Sequence, residues 1–458
     1  MRRSWLLIAV ACCWAPAAAN QAAPPPGASR WQDPVAGALI EQGLAAVRAG
    51  RYERAYKIGD ALERRYPAEP ARFVVRFSAI AAQRRSWAAS IFARMASERP
   101  VRLAAPLLLL DPLHVRTAIY LAEGQDRLQM ARAILTSGWS SGPRGWEPVY
   151  ARRVLIDDAI DRNDPVAARR WLDGIDDPEM LRALLEQDRY AALHPAIVER
   201  WGENLAKADA AEGLALADIV RGPGASLTLI ARRADWLAAH GDPDGALTVL
   251  KAASLIDATI EDRALIAMAT AKAMAQSGSG NEAVQHLAAL TATLPRKHDS
   301  YTEVAKFRAV MLGDLGRPAD ALMQVRSLEA GEVKDGGWIQ ASLKRIEVCA
   351  AADAGDLTSA QQYRDALLGL AESDLFKAQA LFCLGENDRA AGIVASALRR
   401  QRGSSSLEWL QQQPVPAWGR WQRRWQTGFD GIRDRPAIRE ALKGYATIRT
   451  FVTRPAPM

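Results

Sequence analysis

The chain has 458 residues, of which 49% are hydrophobic and 24% are charged, a composition typical of a soluble protein with a sizeable core. Its net charge of +7 favours anionic partners but is too small at this length to indicate nucleic-acid binding, so no nucleic acid is expected as a partner. After the N-terminal region, no stretch reaches the ~20 apolar residues of a membrane-spanning helix. Alanine and leucine dominate, which favours helix.

The N-terminus has the pattern of a secretory signal peptide over residues 1–19. Arg2 and Arg3 form the positive region, residues 5–14 are a short apolar run, and three alanines at 17–19 suit a cleavage site. Cleavage is expected after Ala19. We therefore expect the mature chain in the periplasm or outside the cell, beginning with a disordered Pro/Ala linker at 20–33.

Two alternatives for the export route stay open. Residues 2–7 weakly resemble a twin-arginine signal, and residues 9–12 resemble a bacterial lipobox that ends at Cys12. In the second case Cys12 would carry lipid and tether the protein to a membrane. The Ala/Pro-rich segment 15–29 would then serve as a flexible tether.

One short pattern returns along residues 241–390, where a glycine or polar turn is followed five residues later by an alanine. The spacing between the first four alanines is 37, 38 and 39 residues, and a fifth follows after 30; they are Ala246, Ala283, Ala321, Ala360 and Ala390. A period of this size is typical of an array of helical hairpins. Such arrays bind partners along their surface.

The first hairpin carries a family resemblance. The first helix has a small residue, Gly43, and an aromatic residue, Tyr52, follows the turn. The second helix has a small residue, Ala55, and ends at a proline, Pro67. This pattern resembles a tetratricopeptide repeat. The resemblance implies an all-α, right-handed α-solenoid of antiparallel helical hairpins with a C-terminal helical cap. Later repeats exceed the family's period of about 34 residues, which leaves the exact repeat class and number open.

Two Gly/Pro-rich breaks at 137–148 and 221–225 predict loops at which solenoid segments could join. We predict an N-terminal helical repeat segment at 34–224 and C-terminal tetratricopeptide-like repeats at 225–402. The remainder, 403–458, is predicted to be a Trp/Arg-rich helical cap.

The cap prediction rests on three tryptophans. Trp418, Trp421 and Trp425 are spaced i, i+3, i+7 and would share one helix face, which is the spacing of a buried stripe. The alternative is an aromatic, basic surface for glycan, anionic lipid or nucleic acid, with Trp418, Trp421 and Arg424 as binding residues. A last amphipathic helix is predicted from four apolar residues: Ile438, Leu442, Tyr445 and Ile448.

The tetratricopeptide resemblance also implies that first-helix residues line a concave groove. The candidates for binding there are Asp235, Lys272, Gln276, Lys306 and Arg345. These residues are mixed in charge and form no peptide-clamp pattern.

No catalytic, cofactor or metal residue is predicted. The five histidines never pair at metal-ligand spacing, and Cys-x-x-Cys, Gly-x-Ser-x-Gly and phosphate-loop motifs are missing from the sequence. The acidic residues at 157–164 are interpreted as a helix end rather than a calcium site. Glu408 is the one acid that merits a test, and we expect it to be inert.

Cys349 and Cys383 fall on the first helices of neighbouring hairpins. A disulfide between them is possible in an oxidising compartment if their Cα atoms come within ~7 Å, and two buried thiols are the alternative.

Together these observations predict a non-enzymatic protein–protein interaction scaffold of the bacterial cell envelope, acting in secretion, polysaccharide export or envelope assembly. The expected partners are envelope proteins. Two alternatives remain, a glycan- or cell-wall-binding superhelix and an outer-membrane lipoprotein adaptor tethered through Cys12.

Overall fold

The computed structural model describes ten stretches of the chain: residues 33–69, 71–97, 110–142, 144–222, 225–256, 258–329, 337–371, 374–400, 405–411 and 419–452. These stretches contain 24 α-helices and one 3-10 helix, and no strand. The chain divides between Trp139 and Ser140 into an N-terminal and a C-terminal unit. The predicted signal peptide, most of the linker, Cys12 and Trp418 lie outside the described residues.

In the N-terminal unit the described residues form six helices. They are α1 (Pro34–Arg48), α2 (Tyr52–Arg65), α3 (Arg72–Ala82), α4 (Ala88–Ser97), α5 (Pro112–Leu121) and α6 (Gly124–Ser137). Helix α1 packs on α2, α2 on α3, and α4 on α6. Asp33 caps α1, because its side chain accepts a hydrogen bond from the backbone N–H of Val35 at 2.8 Å. Gly43 lets α1 approach α3 closely, since a Cβ at this position would overlap Val75.

The C-terminal unit begins with elements of unequal length. These are α7 (Trp146–Asp161), α8 (Pro165–Leu172), α9 (Pro178–Glu186), a 3-10 helix (Asp188–Leu193), α10 (His194–Trp201) and α11 (Ala206–Arg221). Five hairpins follow: α12 (Leu227–Ala239) with α13 (Pro243–Lys251), α14 (Ile260–Gln276) with α15 (Gly280–Thr293), α16 (Asp299–Asp314) with α17 (Pro318–Glu329), α18 (Gly337–Asp353) with α19 (Leu357–Gly369), and α20 (Asp374–Cys383) with α21 (Asn387–Arg400).

The five hairpins stack through their first helices. Each first helix packs on its own second helix and on the first helix of the next hairpin, so α12, α14, α16, α18 and α20 form one continuous row. The repeated alanines are fully buried on the second helices: Ala246, Ala283, Ala321, Ala360 and Ala390. The prediction of an all-α fold made of stacked helical hairpins is confirmed.

The repeated turn has a clear local cause. Gly241 has a φ of +79°, a backbone conformation that disfavours residues with a Cβ. Asp242 then caps α13 by accepting a hydrogen bond from the Gly245 N–H at 2.8 Å, and Pro243 occupies the first helical turn.

Three further helices follow the last hairpin: α22 (Ser405–Leu410), α23 (Arg420–Ile432) and α24 (Pro436–Leu442). Helix α23 packs against α16, α20 and α21, while α24 packs against α21. The C-terminal segment therefore turns back over the row of first helices as well as contacting the last hairpin.

The prediction of a last helix reaching Ile448 is wrong, because α24 ends at Leu442. Gly444 has a φ of +66° and redirects the chain. Ala446 then forms an antiparallel bridge with Gln187. Of the four apolar residues whose spacing predicted one helix, Ile438 and Leu442 precede this turn and Tyr445 and Ile448 follow it.

Among the described helices, none combines the length and the apolar character needed to cross a bilayer.

Candidate functional site

The first helices α12 and α14 are joined by an ion pair between two of the predicted binding residues. Lys272 Nζ lies 2.7 Å from Asp235 Oδ1, with side-chain exposures of 13% and 36%. One turn further along α14, the Oε1 atom of Gln276 is buried and has no hydrogen-bond partner among the described residues. These three residues of the predicted set therefore lie together on adjoining first helices.

The next two predicted residues, Lys306 and Arg345, are buried. Lys306 Nζ pairs with Glu303 Oε2 at 2.6 Å and lies 4.3 Å from the ring centre of Trp338. Arg345 Nη1 donates to Gln379 Oε1 at 2.6 Å. Both cations already have partners within the fold, so neither presents a free charge at the surface.

Helix α23 covers Arg345. The guanidinium lies between two rings, 4.6 Å from the centre of Phe376 and 4.5 Å from the centre of Trp425. Burial lowers the pKa of Arg345 to about 10, and the charge of Asp314 opposes that shift. A partner that reached Arg345 would first have to displace α23.

Trp421 anchors α23 to the ends of α16 and α18. The residue is fully buried, and its ring lies over Gly313, where a Cβ would overlap it. Its backbone N–H donates to Asp314 Oδ1 at 2.8 Å, and its Nε1 donates to Asp353 Oδ2 at 2.8 Å. Arg424 Nη2 also pairs with Asp353, at 2.7 Å. Trp421 and Arg424 therefore bind residues of the same chain.

A second close approach fixes the other end of α23. Gly428 lies against Phe382 of α20 so closely that a Cβ would overlap the ring, and Phe429 packs edge-on to the same ring at 4.9 Å. Trp425 is buried beside them. The glycan-binding alternative receives no support from Trp421 or Trp425, since both face the protein interior.

Beneath α23, a disulfide links α18 to α20. Cys349 and Cys383 are bonded, with their Cα atoms 5.1 Å apart. The usual distance between packed helices does not decide whether such a bond forms. Here α18 and α20 approach closely enough to bring the two cysteines within bonding range.

The segment after α24 reaches the start of the C-terminal unit. The Thr447 N–H donates to the Glu186 carbonyl at 3.0 Å, and the Asp188 N–H donates to the Tyr445 carbonyl at 2.9 Å. Arg449 Nε donates to the Leu185 carbonyl at 2.9 Å. These bonds join residues more than 250 positions apart in the sequence.

Glu408 lies on α22 near this junction. Burial raises the pKa of Glu186 to about 8, which the Arg182 charge opposes and the Glu408 charge reinforces. Glu408 therefore belongs to a buried charge cluster around α9.

The acidic residues of α7 bind protein groups. Asp157 accepts hydrogen bonds from Arg153 at 3.1 Å and from the Tyr190 hydroxyl. Asp164 caps α8 by accepting from the Ala167 N–H at 3.0 Å. No group of three or more possible metal ligands occurs among the described residues.

Sequence reasoning missed the residues that receive α23 and the tail. Asp314, Asp353, Phe382 and Glu186 carry no motif, and each contacts a residue far away in the sequence. The one local signal was Gly428, a glycine inside an otherwise bulky helix, which indicates a close approach.

Asp314 should make the stability of the C-terminal unit depend on pH. Burial raises its pKa from 3.8 to about 7, against two backbone N–H donors that favour the charged form. The folded state holds the proton of Asp314 more tightly than the unfolded state does. Asp314 therefore contributes fully to the free energy of unfolding below pH about 4, and this contribution is lost as the pH rises through about 7.

We expect Asp314→Asn to abolish this loss of stability with rising pH, since asparagine keeps the acceptor oxygen but does not titrate. Urea unfolding from acidic to neutral pH should show wild type losing stability relative to the variant as the pH rises. A difference between the two proteins that stays constant with pH would contradict this assignment.

The row of first helices, each packed on its own second helix and on the next first helix, decides the class of fold. The chain is an all-α protein of stacked helical hairpins over its described residues. No protein-family model matches it, and no curated protein matches it significantly.

Three solved structures align with the chain at low TM-scores. The TPR domain of P58(IPK) is 16% identical, over 88% of this chain and 100% of that one, with a TM-score of 0.18. The Cut9–Hcn1 hetero-tetramer of the APC/C is 11% identical, over 89% and 84%, with a TM-score of 0.30. A circular tandem repeat protein is 12% identical, over 90% and 96%, with a TM-score of 0.15. At these TM-scores no residue-level correspondence follows.

Proposed function

We propose that this protein is a non-enzymatic protein–protein interaction scaffold exported to the cell envelope of a bacterium. The observation that carries the proposal is the row of first helices. Helix α23 packs on α16 and α20 of this row, whereas the Asp235–Lys272 pair lies on α12 and α14. Stacked helical hairpins bind partners along such a row. The non-enzymatic role rests on the missing catalytic motifs in the sequence.

The compartment is inferred from two features. Residues 1–19 have the pattern of an export signal, and the disulfide between Cys349 and Cys383 is the kind of bond that persists in oxidising compartments. Secretion, polysaccharide export and envelope assembly are the processes in which we place such a scaffold.

Mass spectrometry of the protein from its native cell tests the export route. A mature chain beginning at Asn20 would support a soluble periplasmic or secreted scaffold. A chain beginning at a lipid-modified Cys12 would support the tethered adaptor, and an intact Met1 would contradict export.

The Asp235–Lys272 pair supplies the test of binding. A partly exposed ion pair contributes about 1 kcal/mol to stability, and the double variant leaves neither charge unpaired, so Asp235→Ala with Lys272→Ala should leave the fold intact. If the pair contacts a partner, the double variant should lose at least about tenfold in affinity, since removing charges from an interface costs several kcal/mol.

Affinity capture from crosslinked native cells, quantified against wild type, measures this loss. The matched control is Glu53→Ala with Lys57→Ala, which removes an exposed ion pair from α2. Equal capture by wild type and both double variants would argue against α12 and α14 as the partner surface.

A further inference from the structure

A separate cavity of about 490 Å³ opens in the C-terminal unit between α7, the loop that follows α8, and α9. Its apolar wall includes Trp146 and Val149 of α7 and Met180 of α9. A cavity of this volume that combines an apolar wall with charged groups can hold a small ligand.

Four of the charged residues that line the cavity already hold one another in place. Arg144 Nη1 pairs with Asp176 at 2.7 Å, and Arg232 Nη2 pairs with Asp177 at 2.9 Å. Glu212 of α11, which is buried, binds both arginines, with 2.9 Å to Arg232 Nε. This network fixes the cavity wall and gives each of these four groups an ion-pair partner within the fold.

Arg152 and Glu179 are the two lining charges outside that network. Neither forms a hydrogen bond or close ion pair with another residue that the structure describes. The Arg152 guanidinium rests directly on Gly174, where a Cβ would overlap it. Burial lowers the pKa of Arg152, and the charge of Asp176 acts in the opposite direction. Burial and the charge of Asp177 raise the pKa of Glu179, and the charge of Arg232 opposes that shift. The cavity wall thus offers one guanidinium and one carboxyl group that lack a hydrogen-bonded partner among the described residues.

We propose that this cavity binds a small zwitterion such as a dipeptide, with its carboxylate on Arg152, its ammonium on Glu179 and an apolar side chain against Trp146 and Met180. A guanidinium matches a carboxylate through two parallel hydrogen bonds. A purely anionic ligand would meet the Glu179 carboxylate, and a purely cationic ligand would meet Arg152. Only a ligand with both charges complements both groups.

Isothermal titration calorimetry on the purified full chain tests the proposal with the dipeptides Ala-Phe and Ala-Leu. The N-acetyl form of each removes the ammonium, and the C-terminal amide removes the carboxylate. We expect the free dipeptides to bind, and each blocked form to bind about tenfold or more weakly, because a charged hydrogen bond is lost.

Two variants assign the ends of the ligand. Arg152→Gln should abolish the preference for the free dipeptide over its amide, whereas Glu179→Gln should abolish the preference over the N-acetyl form. Gly174→Ala should weaken binding by displacing the Arg152 guanidinium while keeping its charge. Arg170→Gln, an exposed arginine on α8, is the matched control and should bind like wild type.

Free and blocked dipeptides that bind equally well to wild type would overturn the proposal. So would the lack of any binding heat from either dipeptide at about 5 mM, which corresponds to an affinity weaker than about 3 kcal/mol. Neither result depends on a variant, so a misfolded substitution cannot obscure the outcome.

Discussion

Replacing Trp421 with alanine is expected to lower the free energy of unfolding of the C-terminal unit by about 3–5 kcal/mol. The substitution empties the space above Gly313, where the ring is fully buried. It also removes the Nε1 donor that satisfies Asp353 Oδ2 at 2.8 Å, leaving Arg424 as that carboxylate's remaining ion-pair partner.

Chemical denaturation followed by circular dichroism measures this loss. Trp338→Ala is the matched control, because Trp338 is 46% exposed in the same unit and its contact with Lys306 is worth about 1 kcal/mol. If the two alanine variants were destabilised equally, α23 would not be an integral part of the core, contrary to the packing of Trp421.

Loss of the disulfide has the second large effect. Cys349 and Cys383 close a loop with a sequence separation of 34, which corresponds to about 3–4 kcal/mol through the restricted unfolded chain. The double variant Cys349→Ala, Cys383→Ala should lose this amount. Each single variant should lose nearly as much, because either substitution breaks the bond.

A thiol reductant distinguishes the contribution of the disulfide to stability from the contribution of the packing of the two side chains. Wild type should lose stability in the presence of a thiol reductant, whereas the double variant should not respond. A wild-type protein that is indifferent to reductant, with two free thiols by mass spectrometry, would show that the bond does not form.

The repeat could be predicted because its determinants are local. Ala246 and Ala321 are fully buried where the period places them, since two helices approach closely only at short side chains. Gly241 and Gly316 have positive φ at the turns before the second helices, as a residue lacking Cβ permits. Each of these features depends on a few adjoining residues that the sequence displays together.

The position of α23 could not be predicted in the same way. The spacing of Trp421 and Trp425 indicated burial, and both are buried. The partners of Trp421, which are Asp314 and Asp353, lie 107 and 68 positions away from it, and no local pattern marks either residue as a partner. Arg345 lies on the first helix α18, but the repeat carries no information about α23, the helix that covers this residue.

The junction between the two ends of the C-terminal unit could not be predicted for the same reason, because its partners lie far apart in the sequence. Thr447 and Asp188 hydrogen bond across 259 positions, and the Glu186 carbonyl accepts from the Thr447 backbone. Backbone hydrogen bonds leave no trace in side-chain identity. The apolar residues around Tyr445 therefore suggested a continuing helix instead of a bridge.

Site-specific photo-crosslinking in the native cell tests the central claim most directly. A photoreactive residue at Gln276 would lie on α14, the helix that carries Lys272, and one at Gln361 would lie exposed on the second helix α19 as the control. The scaffold account predicts a recurring adduct with one envelope protein from position 276 and its absence from position 361. Adducts that are the same at both positions, or none at position 276, would contradict it.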